Sequence, residues 1–132
     1  MEQKYLNGRI HELPYKPEGI TVLVNITGIS KEDLTDALLW KGIFLNLVEV
    51  LGLNPFPETF TVKRFRDSDN EVCGITFCMV LSESHIAGHT WGECEYMRLE
   101  LSSCKPINAE VIKTYLIKRF KESQVEYRTV DW

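Results

Sequence analysis

The chain has no Cys-x-x-Cys pair, no excess of basic charge and no apolar run long enough to cross a bilayer. Each absence removes a class of function. The cysteines Cys73, Cys78, Cys94 and Cys104 lack the spacing of zinc ribbons and thioredoxin-like redox sites. Acidic residues outnumber basic ones 19 to 15, a formal net charge of −4, which argues against nucleic acid as a partner. The longest apolar run, Cys73 to Leu81, is too short for a membrane helix. No apolar stretch follows Met1-Glu2-Gln3-Lys4, so no secretory signal is expected. Together these absences predict a cytoplasmic protein without membrane partners, its cysteines held as thiols.

What is present reads as one domain over residues 1–132. With 44% hydrophobic and 26% charged residues, the chain can bury a core without staples. Residues 1–19 mix charge with Pro14, Pro17, Gly8 and Gly19 and read as an irregular N-terminal arm. Ile20 to Thr27 reads as a strand, with Ile20, Val22, Val24 and Ile26 on one face and Thr21, Leu23, Asn25 and Thr27 on the other. Ser30-Lys31-Glu32-Asp33 is a capping box that starts a helix, and Gly52 stops it. Counted from there, Leu34, Ala37, Leu38, Phe44, Leu45, Val48 and Leu51 form the apolar stripe, with Trp40, Ile43, Leu47 and Val50 outside it.

Glu58 to Arg66 and Glu71 to Leu81 read as a hairpin around Asp67-Ser68-Asp69-Asn70. After Ser82 to Gly92 comes another strand, Cys94 to Ser102. Asn108 caps a helix through about Lys121, with Val111, Ile112, Tyr115, Leu116 and Phe120 as its stripe, and Val125 to Val130 closes the chain as a strand. The expected fold is an α+β two-layer sandwich of β-α-β-β-α-β order with a mainly antiparallel sheet. One face is left polar by Asn25, Lys63, Phe65, Arg98 and Glu100. A binding site is one reason for such a face.

The segment from Leu81 to Glu93 holds two serines, two histidines and two carboxylates. A polar loop is the plainest reading. A zinc site of His85, His89, Cys94 and Cys104 needs a helix that Gly88 and Gly92 oppose. A hydrolase with Ser84 as nucleophile lacks the G-x-S-x-G elbow and an evident third member.

Ser82-Glu83-Ser84-His85, then His89-Thr90-Trp91-x-Glu93, then Cys104, resembles the self-processing S-adenosylmethionine decarboxylase family of bacteria and archaea. Lys63-Arg64-Phe65 and Gly74-Ile75-Thr76 extend the resemblance, which spans most of residues 20–121. It implies a zymogen that cuts the peptide bond between Glu83 and Ser84 by attack of the Ser84 hydroxyl, followed by β-elimination. The products are a chain of residues 1–83 and a second chain headed by a pyruvoyl group made from Ser84. That group forms a Schiff base with a substrate amine and accepts electrons as carbon dioxide leaves. No metal is implied. The implied activity is a carboxy-lyase acting on S-adenosylmethionine for spermidine and other polyamine biosynthesis.

By the same resemblance His89 assists self-cleavage, Cys104 donates the proton to the product carbon and Phe65 stacks on adenine. Glu83 and Glu100 are candidate substrate contacts. Phe65 could equally be a core or interface residue, Glu100 an ion-paired strand residue and Cys104 a small buried hydrophobe. A homodimer of processed protomers is implied, with sites near the subunit interface. Some positions depart from the family: Gly92 and Gly88 replace a proline and an apolar residue, Asn25 and Ile26 replace a glutamate and an aromatic, and Ser102 replaces an aromatic. These departures bear on the substrate and leave open the same chemistry on arginine or ornithine; a further alternative, of another class, is an unprocessed, non-catalytic homologue with a binding or regulatory role.

Overall fold

The strand read along Ile20–Thr27 is joined by five further strands among the described residues, and in the computed structural model all six pair into one antiparallel sheet. The structure describes residues 18–132, so residues 1–17 of the expected arm lie outside the described residues. The strands are β1 (Ile20–Thr27), β2 (Thr61–Arg66), β3 (Val72–Leu81), β4 (Ser84–Trp91), β5 (Tyr96–Ser103) and β6 (Gln124–Asp131). Their spatial order is β2-β3-β4-β5-β1-β6. Helices α1 (Lys31–Leu34), α2 (Ala37–Val50) and α3 (Ala109–Arg119) complete the two-layer α+β sandwich. Among the described residues no helix is long and apolar enough to cross a membrane.

The segment after Leu81 is not a loop. Ser82 and Glu83 form a two-residue turn, and β4 then runs back beside β3, so β4 is the strand added to those expected, while β5 is the strand expected over Cys94 to Ser102. The helix expected from Ser30 to Gly52 is broken. Ser30 caps α1, but Thr35 ends it, and Asp36 caps a second start by accepting a hydrogen bond from Leu39 N. The break resets the helical phase. Trp40, Ile43 and Leu47, outside the stripe counted from Ser30, are therefore buried, and Leu38, inside it, is 79% exposed. Gly52 does end the helix, at a φ of 74° that glycine adopts without cost.

The core lies between the helices and one face of the sheet. Trp40 anchors it: its ring packs 5.8 Å from Phe77 and 5.4 Å from Phe120, and its indole N–H donates to Asp33 O at 2.9 Å. Burial of such a ring needs a partner for that N–H, and the α1 carbonyl provides it. Gly88, on the core face of β4, sits beneath the Phe77 ring and Met97. A Cβ there would lie 2.6 Å from Phe77 Cζ and 2.7 Å from Met97 Cε. The missing side chain is thus compensated by a larger ring on the neighbouring strand. The opposite face carries Asn25, Lys63, Phe65, Arg98 and Glu100, as their alternation predicts.

Gly88→Val should therefore lower stability by about 1–3 kcal/mol through overpacking. Phe77→Leu, combined with it, should recover part of that loss. Urea denaturation of the single and double variants measures both effects.

Candidate active site

The turn between β3 and β4 is held from two sides. On one side is Asn54, two residues beyond the Gly52 stop. Ser82 N donates to Asn54 O at 2.8 Å, Asn54 N to Glu83 Oε1 at 2.9 Å and Asn54 Nδ2 to Glu83 Oε2 at 2.8 Å. On the other side Cys104, just past β5, donates its backbone N–H to the Glu83 carbonyl oxygen at 2.9 Å. The loop carrying Cys104 is itself fixed. Ser103 Oγ bonds both Lys105 O and Lys105 N, and Lys105 Nζ donates to Gly52 O.

Glu83 is buried. Burial works to raise its carboxyl pKa, but the Asn54 hydrogen bonds, its own backbone N–H and the Lys105 charge together hold it below its ordinary value. The carboxylate is thus engaged with Asn54 rather than free to meet a ligand.

Next in the chain, the Ser84 hydroxyl lies 3.2 Å from His85 Nδ1, and His85 Nε2 lies 3.7 Å from Glu100 Oε1. Ser102 pairs with His85, and Glu100 stands diagonally across from it on β5. Ser84, the Glu83 carbonyl and Cys104 therefore meet at one end of β4.

His89 is not part of that cluster. Ser84 and His89 are separated by five strand residues, or about 17 Å. The β4 strand likewise holds His85 and His89 about 13 Å apart, where the zinc reading needed one turn of helix. His89 Nδ1 pairs with Thr76 Oγ1 at 2.6 Å. Its ring lies 4.1 Å from Trp91 and 5.8 Å from Phe65, and Trp91 lies 5.2 Å from Tyr96. Burial and the neighbouring Arg98 charge lower the His89 pKa, which favours a neutral imidazole at neutral pH.

Phe65 is 42% exposed on the edge strand, so it is not a core residue of the protomer. A cavity of about 220 Å³ runs between Phe65, Cys73, His89, Trp91 and Glu93. A neighbouring one of about 400 Å³ is lined by Thr76, Ala87, His89, Arg98 and Glu100. Cys104 lines a third, of about 520 Å³, with Ile20, Ile107 and Trp132. Its residue is exposed, which sets aside the reading of a buried hydrophobe.

The cluster at the turn thus contains Asn54, which sequence reasoning did not single out, and His85, which it gave a role only as a zinc ligand. Asn54 sits in an ordinary loop with no motif to mark it. His85 is conspicuous beside Ser84, but only the strand geometry gives it a partner.

Comparison with known proteins adds an independent line. The family model described as S-adenosylmethionine decarboxylase matches residues 20–131. The S-adenosylmethionine decarboxylase proenzyme of Thermococcus kodakarensis is 30% identical over 104 residues, covering 78% of this chain and 68% of that protein. The proenzyme of the same name from Pyrococcus furiosus is 28% identical over 104 residues, covering 78% of this chain and 70% of that protein. The crystal structure of the adenosylmethionine decarboxylase from Aquifex aeolicus superposes with a TM-score of 0.65 at 18% identity, covering 88% of this chain and 91% of that one. At that identity the likeness is one of fold.

Asn54→Ala removes the Nδ2 donor from a buried carboxylate, leaving only the backbone N–H, and should cost about 1–3 kcal/mol near neutral pH. The lowered pKa of Glu83 contributes stability above its ordinary value, and that stability is lost as pH falls through the folded value. The difference between wild type and variant should therefore shrink on acidification. Urea melts at neutral and acid pH check this directly.

Proposed function

The chain belongs to the S-adenosylmethionine decarboxylase family of carboxy-lyases, and from that premise we propose that it is a proenzyme that cuts its own Glu83–Ser84 bond. The product is a pyruvoyl-dependent decarboxylase of S-adenosylmethionine, acting in the cytoplasm and feeding polyamine synthesis. One observation carries this reading: the carbonyl oxygen of Glu83, the residue bonded to Ser84, already receives a hydrogen bond from Cys104 N.

That N–H is a preformed donor for the charge that develops on the carbonyl oxygen during attack. The turn that presents the carbonyl is fixed by Asn54, so little reorganisation is needed. These residues fit a pyruvoyl group at position 84, which would supply an electron sink for loss of carbon dioxide. The Cys104 thiol, whose backbone faces the same turn, would return a proton to the product carbon. Phe65 offers a ring to adenine, and Glu93, on the same cavity, offers a carboxylate to the ribose hydroxyls.

His89 enters the site from a second copy. Ser84 and His89 lie about 17 Å apart along β4, yet His85, Ala87 and His89 share the open face of the sheet. Two copies packed through that face, on a two-fold axis crossing β4 near Ala87, would carry each His89 to its partner's Ser84. A neutral imidazole there suits removal of the Ser84 Cα proton in β-elimination. The homodimer then completes both sites.

Release of carbon dioxide from S-adenosylmethionine, but not from arginine or ornithine, tests the activity. The reverse preference, or no release from any of them, would overturn it. Cys104→Ser should still cut itself but decarboxylate about 10²-fold more slowly, because a serine hydroxyl is a much weaker acid than a thiol. Wild-type turnover would make Cys104 structural. Neither Ser84→Ala nor His89→Ala should be cut alone. When the two are co-expressed, the His89→Ala chain should be cut, because its partner supplies His89. No cutting in the mixture would refute the shared site.

A further inference from the structure

We propose that His85 is the base that activates Ser84 for self-cleavage, and that Glu100 is a positioning residue that sets the His85 tautomer. The inference rests on the reading of the chain as a self-cleaving proenzyme and assigns its first step. Ser84 Oγ lies 3.2 Å from His85 Nδ1, while His89 stands some five residues along the strand. Among the described residues of the protomer, His85 is therefore the imidazole at hydrogen-bond distance from the attacking oxygen.

The far side of the ring supplies the second half of the argument. His85 Nε2 faces Glu100 Oε1 at 3.7 Å. A carboxylate there favours the tautomer with its proton on Nε2. That leaves the Nδ1 lone pair directed at the serine hydroxyl, the order of groups that activates a weak nucleophile elsewhere. Sheet register keeps the three side chains together. Ser84 pairs with Ser103 and His85 with Ser102, so Glu100 is held one diagonal step away. Both outer side chains are about half exposed, so the arrangement depends on that register rather than on burial.

The step balances within these groups. The Ser84 Oγ–H proton moves to His85 Nδ1 as Oγ bonds to the Glu83 carbonyl carbon. The carbonyl electron pair moves onto oxygen, which Cys104 N–H holds. The pair then returns, the C–N bond breaks and the Ser84 nitrogen takes the proton from His85. A peptide becomes an ester and a free amine, with no proton gained or lost.

Freshly expressed chains, followed by intact mass with and without hydroxylamine, test the proposal. Hydroxylamine cuts the ester but not the peptide. His85→Ala should slow cleavage about 10²-fold or more and accumulate hydroxylamine-resistant chain, since the block precedes the ester. Added imidazole should restore part of the rate. His85→Gln, which keeps a polar side chain of similar length, should be equally slow if the base is what matters. Glu100→Gln should slow cleavage less, and should add nothing in the His85→Ala background, because Glu100 acts only through His85. In the uncut Ser84→Ala chain, imidazole ¹⁵N shifts should show His85 protonated at Nε2, with that preference weakened by Glu100→Gln. Wild-type cleavage rates in folded His85→Ala and His85→Gln would overturn this inference and leave the proenzyme reading standing. A wild-type chain that never cuts would overturn both.

Discussion

Asn54 grips the Glu83 carboxylate with two donors and the Ser82 amide with its carbonyl, and the self-cleavage proposed for the chain depends on that grip. A two-residue turn at the end of a hairpin would otherwise be among its most mobile points. Here the turn is fixed to the loop after α2 through Asn54 and to the end of β5 through Cys104 N. Glu83 is ionised, buried and fully bonded, so rotating the turn would strand a charge without partners. The Glu83 carbonyl is therefore held against its donor, the backbone N–H of Cys104.

The sheet does the rest of the positioning. Its period of two sends Ile86, Gly88 and Thr90 towards the helices and His85, Ala87 and His89 away from them. The outward face is then ruled in rows across the strands. Lys63, Thr76, His89, Arg98 and Asn25 lie in one row, and Ala87, Glu100 and Leu23 in the next. In the proposed homodimer a second copy would cover this face and bring the two ends of β4 together.

The frame of this fold was legible where apolar residues alternate strongly. β1 and β3 announce themselves through Val, Ile and Phe at every second position, and α3 through its stripe and its Asn108 cap. β4 does not. Its core face is filled by Gly88 and Thr90 as well as Ile86, so the apolar half of the alternation is missing and the histidines dominate the pattern. Thr90 is buried there because its hydroxyl is satisfied by Leu34 O and Ile75 N, a pairing invisible without the tertiary structure. The break at Thr35 and Asp36 hid the true burial phase of α2 for a similar local reason. At the site, the spacing of Ser84, His89 and Cys104 was readable as a motif, and Phe65 proved to be the exposed ring that its strand alternation predicts. That Ser84 and His89 stand far apart, that Glu83 is engaged by Asn54 and that His85 is the histidine beside Ser84 are consequences of strand geometry, which spacing does not encode.

The central claim is that this chain severs itself between Glu83 and Ser84. The most direct measurement is the intact mass of the purified wild-type protein under denaturing conditions. The account predicts two chains, residues 1–83 with an ordinary carboxyl terminus and residues 84–132 with a pyruvoyl group in place of Ser84. A single chain of residues 1–132 that persists on prolonged incubation would contradict it.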